Sequence, residues 1–173
     1  GAVTTLAGLA GAYGSTDATG SAARFNQPTG VTVASAGNIF VADQFSFAIR
    51  KVTSGGVVTT LAGLAGGSGS IDGVGSAARF RQPSAITVDS AGTTYVADSA
   101  NGTIRMITSA GIVTTLAGTA GTSGSTDGTG GAARFSGPTG VAVDNTGAVY
   151  VADTNNHAIR KITAPGGFKT GIF

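Results

Sequence analysis

Apolar positions along the chain come in short runs with a period near two, the pattern of strands rather than helices. Gly30-Val31-Thr32-Val33 alternates, Ser35-Ala36-Gly37-Asn38 follows as a turn, and Ile39-Phe40-Val41-Ala42 is apolar on both faces. Ala48-Ile49-Arg50-Lys51-Val52 reads as a third strand, Ser54-Gly55-Gly56 as a turn, and Val57-Val58-Thr59-Thr60-Leu61 as a fourth. Four strands joined by tight turns make an antiparallel meander. A connection from about Ala62 to Gln82 leads to the next meander, and Ser76-Ala77-Ala78-Arg79-Phe80 within it predicts one helical turn stopped by Pro83. A lone antiparallel sheet keeps one face wet. A second strand apolar on both faces therefore predicts sheets covered on both sides, as in the blades of a propeller.

The pattern repeats without insertion or deletion. VTTLAG begins at Val3, Val58 and Val113, a period of 55 residues, and Asp43, Asp98 and Asp153 keep the same step, as do Arg50, Arg105 and Arg160. This divides the chain into an orphan fourth strand (1–8), three units (9–62, 63–117 and 118–167) and a divergent tail (168–173). Such a fixed period is the signature of a repeat architecture, and polar end caps of the kind a linear solenoid needs are not evident.

Composition narrows the chemistry. Of 173 residues, 41% are hydrophobic and 10% charged, with 30 glycines, no cysteine and a formal net charge of +2. The regular Val, Ile and Leu positions exclude a disordered linker, and the missing cysteines exclude disulfides and thiolate metal sites. No apolar run approaches the roughly 18–20 residues of a membrane-spanning helix, so no membrane partner is expected. The arginines recur evenly instead of clustering, so no nucleic-acid partner is expected either. The sequence begins at Gly1 and reads as an excised or processed segment.

The motif P-x-G-V-x-V-D-x-x-G-x-x-Y-V-A-D-x-x-N-x-x-I-R-K-I runs from Pro138 to Ile162 and resembles the NHL repeat. Its carriers include Gly140, Val141, Asp144, Gly147, Tyr150, Asp153, Asn156, Ile159 and Arg160. Unit 2 departs with Ala85 for the glycine and Gly102 for the asparagine, and unit 1 with Ala34 for the aspartate and Phe47 for the asparagine. The resemblance implies an all-β, six-bladed NHL-type propeller. Its family serves mainly in binding and scaffolding, although some relatives are lyases or lactonase-like enzymes.

Three blades do not close a ring, and an open half-ring would expose two apolar faces. The expected assembly is a homodimer, two copies giving six blades. Val3, Thr4, Thr5 and Leu6 have the sequence of a fourth strand with no first three before it, and are expected to complete the partner's third blade. The alternative is that Phe168–Phe173 supplies a poor fourth strand within its own chain.

Residues that recur with the repeat read as structural. Asp43, Asp98 and Asp153 are expected to accept amides of the following turn, and the arginines to pair with them or with neighbouring blades, exposed pairs of this kind adding about 0–1 kcal/mol each. Asp17, Asp72 and Asp127 each offer one carboxylate, too few for calcium, and are expected to cap the following turn. Phe25, Phe80 and Phe135 are expected to pack between blades.

Recognition is expected where the repeats disagree. The loops after the second strand read Gln44-Phe45-Ser46-Phe47, Ser99-Ala100-Asn101-Gly102 and Thr154-Asn155-Asn156-His157. Phe45, Phe47, Asn101, Asn155, Asn156 and His157, with Tyr13 and Arg81, are the binding candidates, for a protein, peptide or glycan ligand. Asn101-Gly102-Thr103 also matches a glycosylation acceptor, a short motif expected by chance. Asp89, Asp144 and Asn145 are candidates for a central channel. A single histidine and no serine in a nucleophile-elbow context argue against a metal centre or a triad, and no cofactor is expected. The expected function is a non-catalytic, self-associating binding or scaffold module. The alternatives are a metal-assisted hydrolase or lyase acting in the channel, and an engineered or excised fragment that only folds. A bacterial envelope or extracellular location is slightly favoured.

Overall fold

The computed structural model describes residues 1–163. The first sheet is an antiparallel meander of β1 (Pro28–Val33), β2 (Ile39–Asp43), β3 (Ala48–Val52) and β4 (Val58–Gly63). The second begins on its outer edge with a two-residue strand, β5 (Gly73–Val74). It continues through β6 (Pro83–Val88), β7 (Thr94–Asp98), β8 (Thr103–Ile107) and β9 (Ile112–Ala117), in the order β5-β9-β8-β7-β6. The third has three strands among the described residues, β10 (Pro138–Val143), β11 (Val149–Asp153) and β12 (Ala158–Ile162). The tail Phe168–Phe173 lies outside the described residues.

The connection differs from expectation. Its turns are 3-10 turns over Gly20–Ala22, Gly75–Ala77 and Gly130–Ala132, and Ala78 is already extended. Pro83 therefore opens strand β6 and stops no helix. Instead, Arg79 bridges back to Ile71, a pairing that no helical spacing could announce.

The first strands β1, β6 and β10 lie side by side, so they form the inner side of the array. They approach closely: a Cβ on Gly30 would fall 2.8 Å from Ala85 Cα. The sheets stack face to face. Phe40, Ala42, Ile49 and Ala62 of the first pack on Phe80, Ile86, Val96, Ile107 and Val113 of the second unit. Tyr95, Ala97 and Ile104 repeat the arrangement against Phe135, Val149 and Val151. The doubly apolar second strand is thus explained, because each of its faces serves a different interface.

A charged network runs through the stack. Arg50 donates Nη1 to Asp43 Oδ2 at 2.8 Å and Nη2 to Asp17 Oδ1 at 2.5 Å, 5.3 Å over the Phe25 ring. Arg105 does the same with Asp98, Asp72 and Phe80, and Arg160 with Asp153, Asp127 and Phe135. Two expectations are corrected here. The Asp43–Arg50 and Asp98–Arg105 side chains are fully buried, not exposed. Asp43 accepts an amide from Asn26, upstream in the connection, where the following turn was expected; Asp98 and Asp153 do likewise with Arg81 and Ser136.

Asp17 and Asp72 do not cap the 3-10 turns, which have no side-chain cap. They accept the amide and hydroxyl of Thr60 and Thr115 on the fourth strands. Burial is the largest influence on Asp98 and pushes its carboxyl up to about 6, against hydrogen bonds from Asn101 and Arg81 and the charge of Arg105. It is therefore ionised and paired at neutral pH.

Removing the guanidinium would leave a buried carboxylate without its counter-charge, which costs about 3–5 kcal/mol. Arg105→Ala is expected to lose stability in that range by urea denaturation. A loss below about 1 kcal/mol would mean that packing, not the ion network, holds the sheets.

Candidate binding face

The loops between second and third strands all emerge at one end of the sheets, because β1–β4 and their counterparts run in the same register. Each loop is a 3-10 turn, Gln44–Ser46, Ser99–Asn101 or Thr154–Asn156, followed by a left-handed residue. That residue is Gly102 in the second unit, but Phe47 (φ 55°) in the first and His157 (φ 54°) in the third. Gln27 and Gln82 (φ 53° and 56°) immediately precede β1 and β6 at this same end, where the third unit has Gly137. All four left-handed non-glycine residues among those described thus gather on one face. The left-handed conformation costs an L-residue roughly 1–2 kcal/mol, and such strain is typical of binding surfaces.

The candidates divide by what their side chains do. Asn101 donates Nδ2 to Gly69 O at 2.8 Å and to Asp98 Oδ2 at 2.7 Å, and Asn156 makes the same pair of bonds to Gly124 and Asp153. Their counterpart in the first unit is Ser46, which donates to Gly14 O. Gly102 and Phe47 therefore do not replace this asparagine; they occupy the left-handed position after it. Asn101 is buried, so its glycosylation motif presents no accessible amide.

Tyr13, Phe45, Arg81, Asn155 and His157 are exposed, and Phe47 is half-buried. Their backbones are pinned to the connections: the Phe45 amide to Asn26 O, the Asn155 amide to Ser136 O and the Ala100 amide to Arg81 O. The arrangement is a rigid rim carrying aromatic, amide and cationic groups. Gln27 and Gln82 were not foreseen as members. The available signal was Gly137 in the third repeat, which marks a left-handed position.

Asp89, Asp144 and Asn145 lie at the opposite end, in the turns between first and second strands, and do not join this set. Asp89 Oδ1 accepts the amides of Ala91 and Thr93, while Oδ2 accepts the Tyr95 hydroxyl at 3.2 Å. Asp144 accepts the Thr146 amide and hydroxyl, the Ala148 amide and the Tyr150 hydroxyl. In the first unit the aspartate and the tyrosine are lost together, as Ala34 and Phe40, which suits a carboxylate whose task is to hold its turn and the phenol. Burial, then Asp89, pushes Tyr95 up to about 12. Among the described residues no three His, Cys, Asp or Glu side chains group as metal ligands.

Residues 135–162 match the NHL repeat family model, the segment in which Asp153, Arg160 and Phe135 of the third network lie. The chain is 36% identical over 151 residues to NHL repeat-containing protein 2 of Bos taurus, covering 80% of this chain and 21% of that protein. Residues 135–162 thus carry an NHL repeat. The chain spans about a fifth of the length of the curated relatives it matches, 21% in each.

The three stacked sheets also superpose on solved structures. An auxiliary nutrient binding protein from Bacteroides thetaiotaomicron aligns with a TM-score of 0.69 at 26% identity, over 77% of this chain and 36% of that one. The virginiamycin B lyase of Staphylococcus aureus aligns at 0.56 and 19% identity, over 79% of this chain and 38% of that one. The second likeness is one of fold alone. Together they identify a propeller-type fold for the three stacked sheets.

The hydrogen bond from the Thr146 hydroxyl, with the Thr146 and Ala148 amides, lowers Asp144 from 3.8 to about 2. Its folded value is depressed, so its contribution to stability is complete above about 4 and is lost as pH falls toward 2. Carbon-detected NMR is expected to find this carboxyl titrating near 2, and Thr146→Ala to bring it back toward 3.8. An unshifted Asp144 would remove its role in the turn.

Proposed function

We propose that the chain is a non-catalytic NHL binding module whose three blades associate with those of a second copy to form a six-bladed ring. The observation that carries this reading is the contrast between equivalent residues at internal and terminal positions. Ile49 and Ile104 are buried between sheets, whereas their counterpart Ile159 is 76% exposed; Ile86 is buried, whereas its counterpart Val31 is 68% exposed. The face that the first and second sheets press onto a neighbour is therefore bare on the third, and the complementary face is bare on the first. An apolar hollow of about 390 Å³ lies along that second surface, lined by Phe25, Val31, Ile39, Val41 and Val52 among others. The two faces match each other and not themselves, so two copies joined head to tail satisfy both junctions.

The ring presents the rim of Tyr13, Phe45, Arg81, Asn155 and His157 to a protein, peptide or glycan. Aromatic side chains on a rigid frame are favoured anchors because little freedom is lost when they bind. The nutrient-binding neighbour from Bacteroides thetaiotaomicron supports a ligand-presenting role and a bacterial envelope or extracellular setting. Channel chemistry would need free ligands, and Asp89 and Asp144 are engaged by their own turns.

Light scattering after size exclusion is expected to give twice 16.6 kDa. Ile159→Lys is expected to reduce this to the single-chain mass with the sheets still folded by circular dichroism. A monomeric parent chain would end the ring reading. On an oligosaccharide array, the Tyr13→Ala, Phe45→Ala double variant is expected to lose binding by about 10-fold or more while remaining dimeric. Equal binding by the parent and the variant would remove the rim from the site.

A further inference from the structure

We propose that residues 3–8 of one copy form the fourth strand of the third sheet of the other, with the partner's Thr5 bound to Asp127. The inference rests on the ring reading and adds the segment and the bonds that lock it.

In the first two sheets the fourth strand is held by a threonine. Thr60 gives its amide and hydroxyl to Asp17, and Thr115 gives the same two groups to Asp72. The third carboxylate, Asp127, has its arginine but no such threonine among the described residues. Its side chain is 96% exposed, against 45% and 49% for Asp17 and Asp72. Beside it β12 has no partner on its outer edge among the described residues. An open slot of about 730 Å³ runs there between β12, β9 and the Asp127 loop.

Residues 3–8 already have the geometry of the missing strand. They repeat VTTLAG and form no ladder among the described residues of their own chain. Yet Leu6 O lies against the first sheet as Leu61 O lies against the second: it is 2.7 Å from where a Cβ on Gly56 would be, and Leu61 O is 3.1 Å from the same point on Gly111.

The decisive residue is Gly8. Gly63 and Gly118 end their strands at φ +96° and +95°, where a Cβ would fall 2.4 Å from the carbonyl oxygens of Phe47 and Gly102. Gly8 holds φ +96° without a carbonyl beside it; its neighbour is the Phe25 ring. The residue equivalent to Phe47 and Gly102 in the third unit is His157. The conformation of Gly8 is therefore set for a close approach to the His157 carbonyl of another copy.

The register follows from the pairing of β3 with β4, in which Val52, Lys51, Arg50, Ile49 and Ala48 face Val58, Thr59, Thr60, Ala62 and Gly63. In the exchanged sheet Ile162 faces Val3 of the partner subunit, Lys161 faces Thr4 of the partner subunit, and Arg160 faces Thr5 of the partner subunit. The competing occupant is the chain's own segment 168–173.

The test is a disulfide trap in a chain without cysteine. Thr4→Cys and Lys161→Cys place two thiols at directly opposed positions. Isotope-labelled and unlabelled copies of this double variant are mixed, refolded together and oxidised, and the peptide joining positions 4 and 161 is read by mass spectrometry. Peptides pairing a labelled with an unlabelled chain are expected. A link confined to single chains, or thiols that stay free in a species of dimer mass, would overturn the exchange and leave the ring standing. A monomeric parent chain would remove both.

Thr5→Pro gives a second measurement if the double variant does not fold. Thr5 makes no hydrogen bond within its own chain among the described residues, so the change spares each subunit but deletes the amide bond to Asp127. A hydrogen bond to a charged group corresponds to about a 10- to 100-fold rise in the dimer dissociation constant. An unchanged constant would overturn the proposal.

Discussion

A guanidinium enclosed between two carboxylates and an aromatic ring is the constraint from which the arrangement of each sheet follows. Arg50 is carried by β3, Asp43 by the end of β2, and Asp17 and Phe25 by the connection that precedes β1. Arg50 Nη1 also donates to Arg24 O. One side chain thus fixes two strands and a long connection in a single geometry. Enclosing such charges costs several kcal/mol per ion, and only multiple well-formed hydrogen bonds offset that cost. The network is accordingly most enclosed where the fourth strand covers it. Arg50 and Arg105 are fully buried, whereas Arg160, on β12, whose outer edge has no partner among the described residues, is partly open.

The same design separates the two ends of the sheets. At one end, turns are closed by Asp89 and Asp144 together with a tyrosine hydroxyl, which leaves those carboxylates little capacity for chemistry. At the other, the turns are anchored from below by Asn101, Asn156 and Ser46, which frees the outward side chains to vary. Variation concentrates there, and so does backbone strain at Gln27, Phe47, Gln82 and His157. A rigid base beneath a variable rim is the physical arrangement that makes loops useful for recognition.

Much of the strand layout was legible in the chain. Alternation and Gly-containing turns are local signals, and they mark the third strand at Ala48–Val52 and the other strands to within two residues. Asp17 was misread as a cap because its spacing to the following turn is local and visible. Its true partners, Arg50 and Thr60, lie 33 and 43 residues away. Asn101 and Asn156 were misread as ligands for recognition for a related reason: a polar residue in a turn looks free until the connection that runs beneath it is in place.

Side-chain type and spacing along the chain are enough to set the repeat, the meander and the absence of disulfides. What each repeated residue experiences depends instead on which sheet lies beside it. Ile49, Ile104 and Ile159 have the same identity and the same strand position, yet the first two are buried and the third is exposed. Asp17, Asp72 and Asp127 likewise share one motif and differ in what covers them. Burial is a property of the neighbouring sheet rather than of the residue, and a periodic sequence cannot state where the stack of neighbours stops.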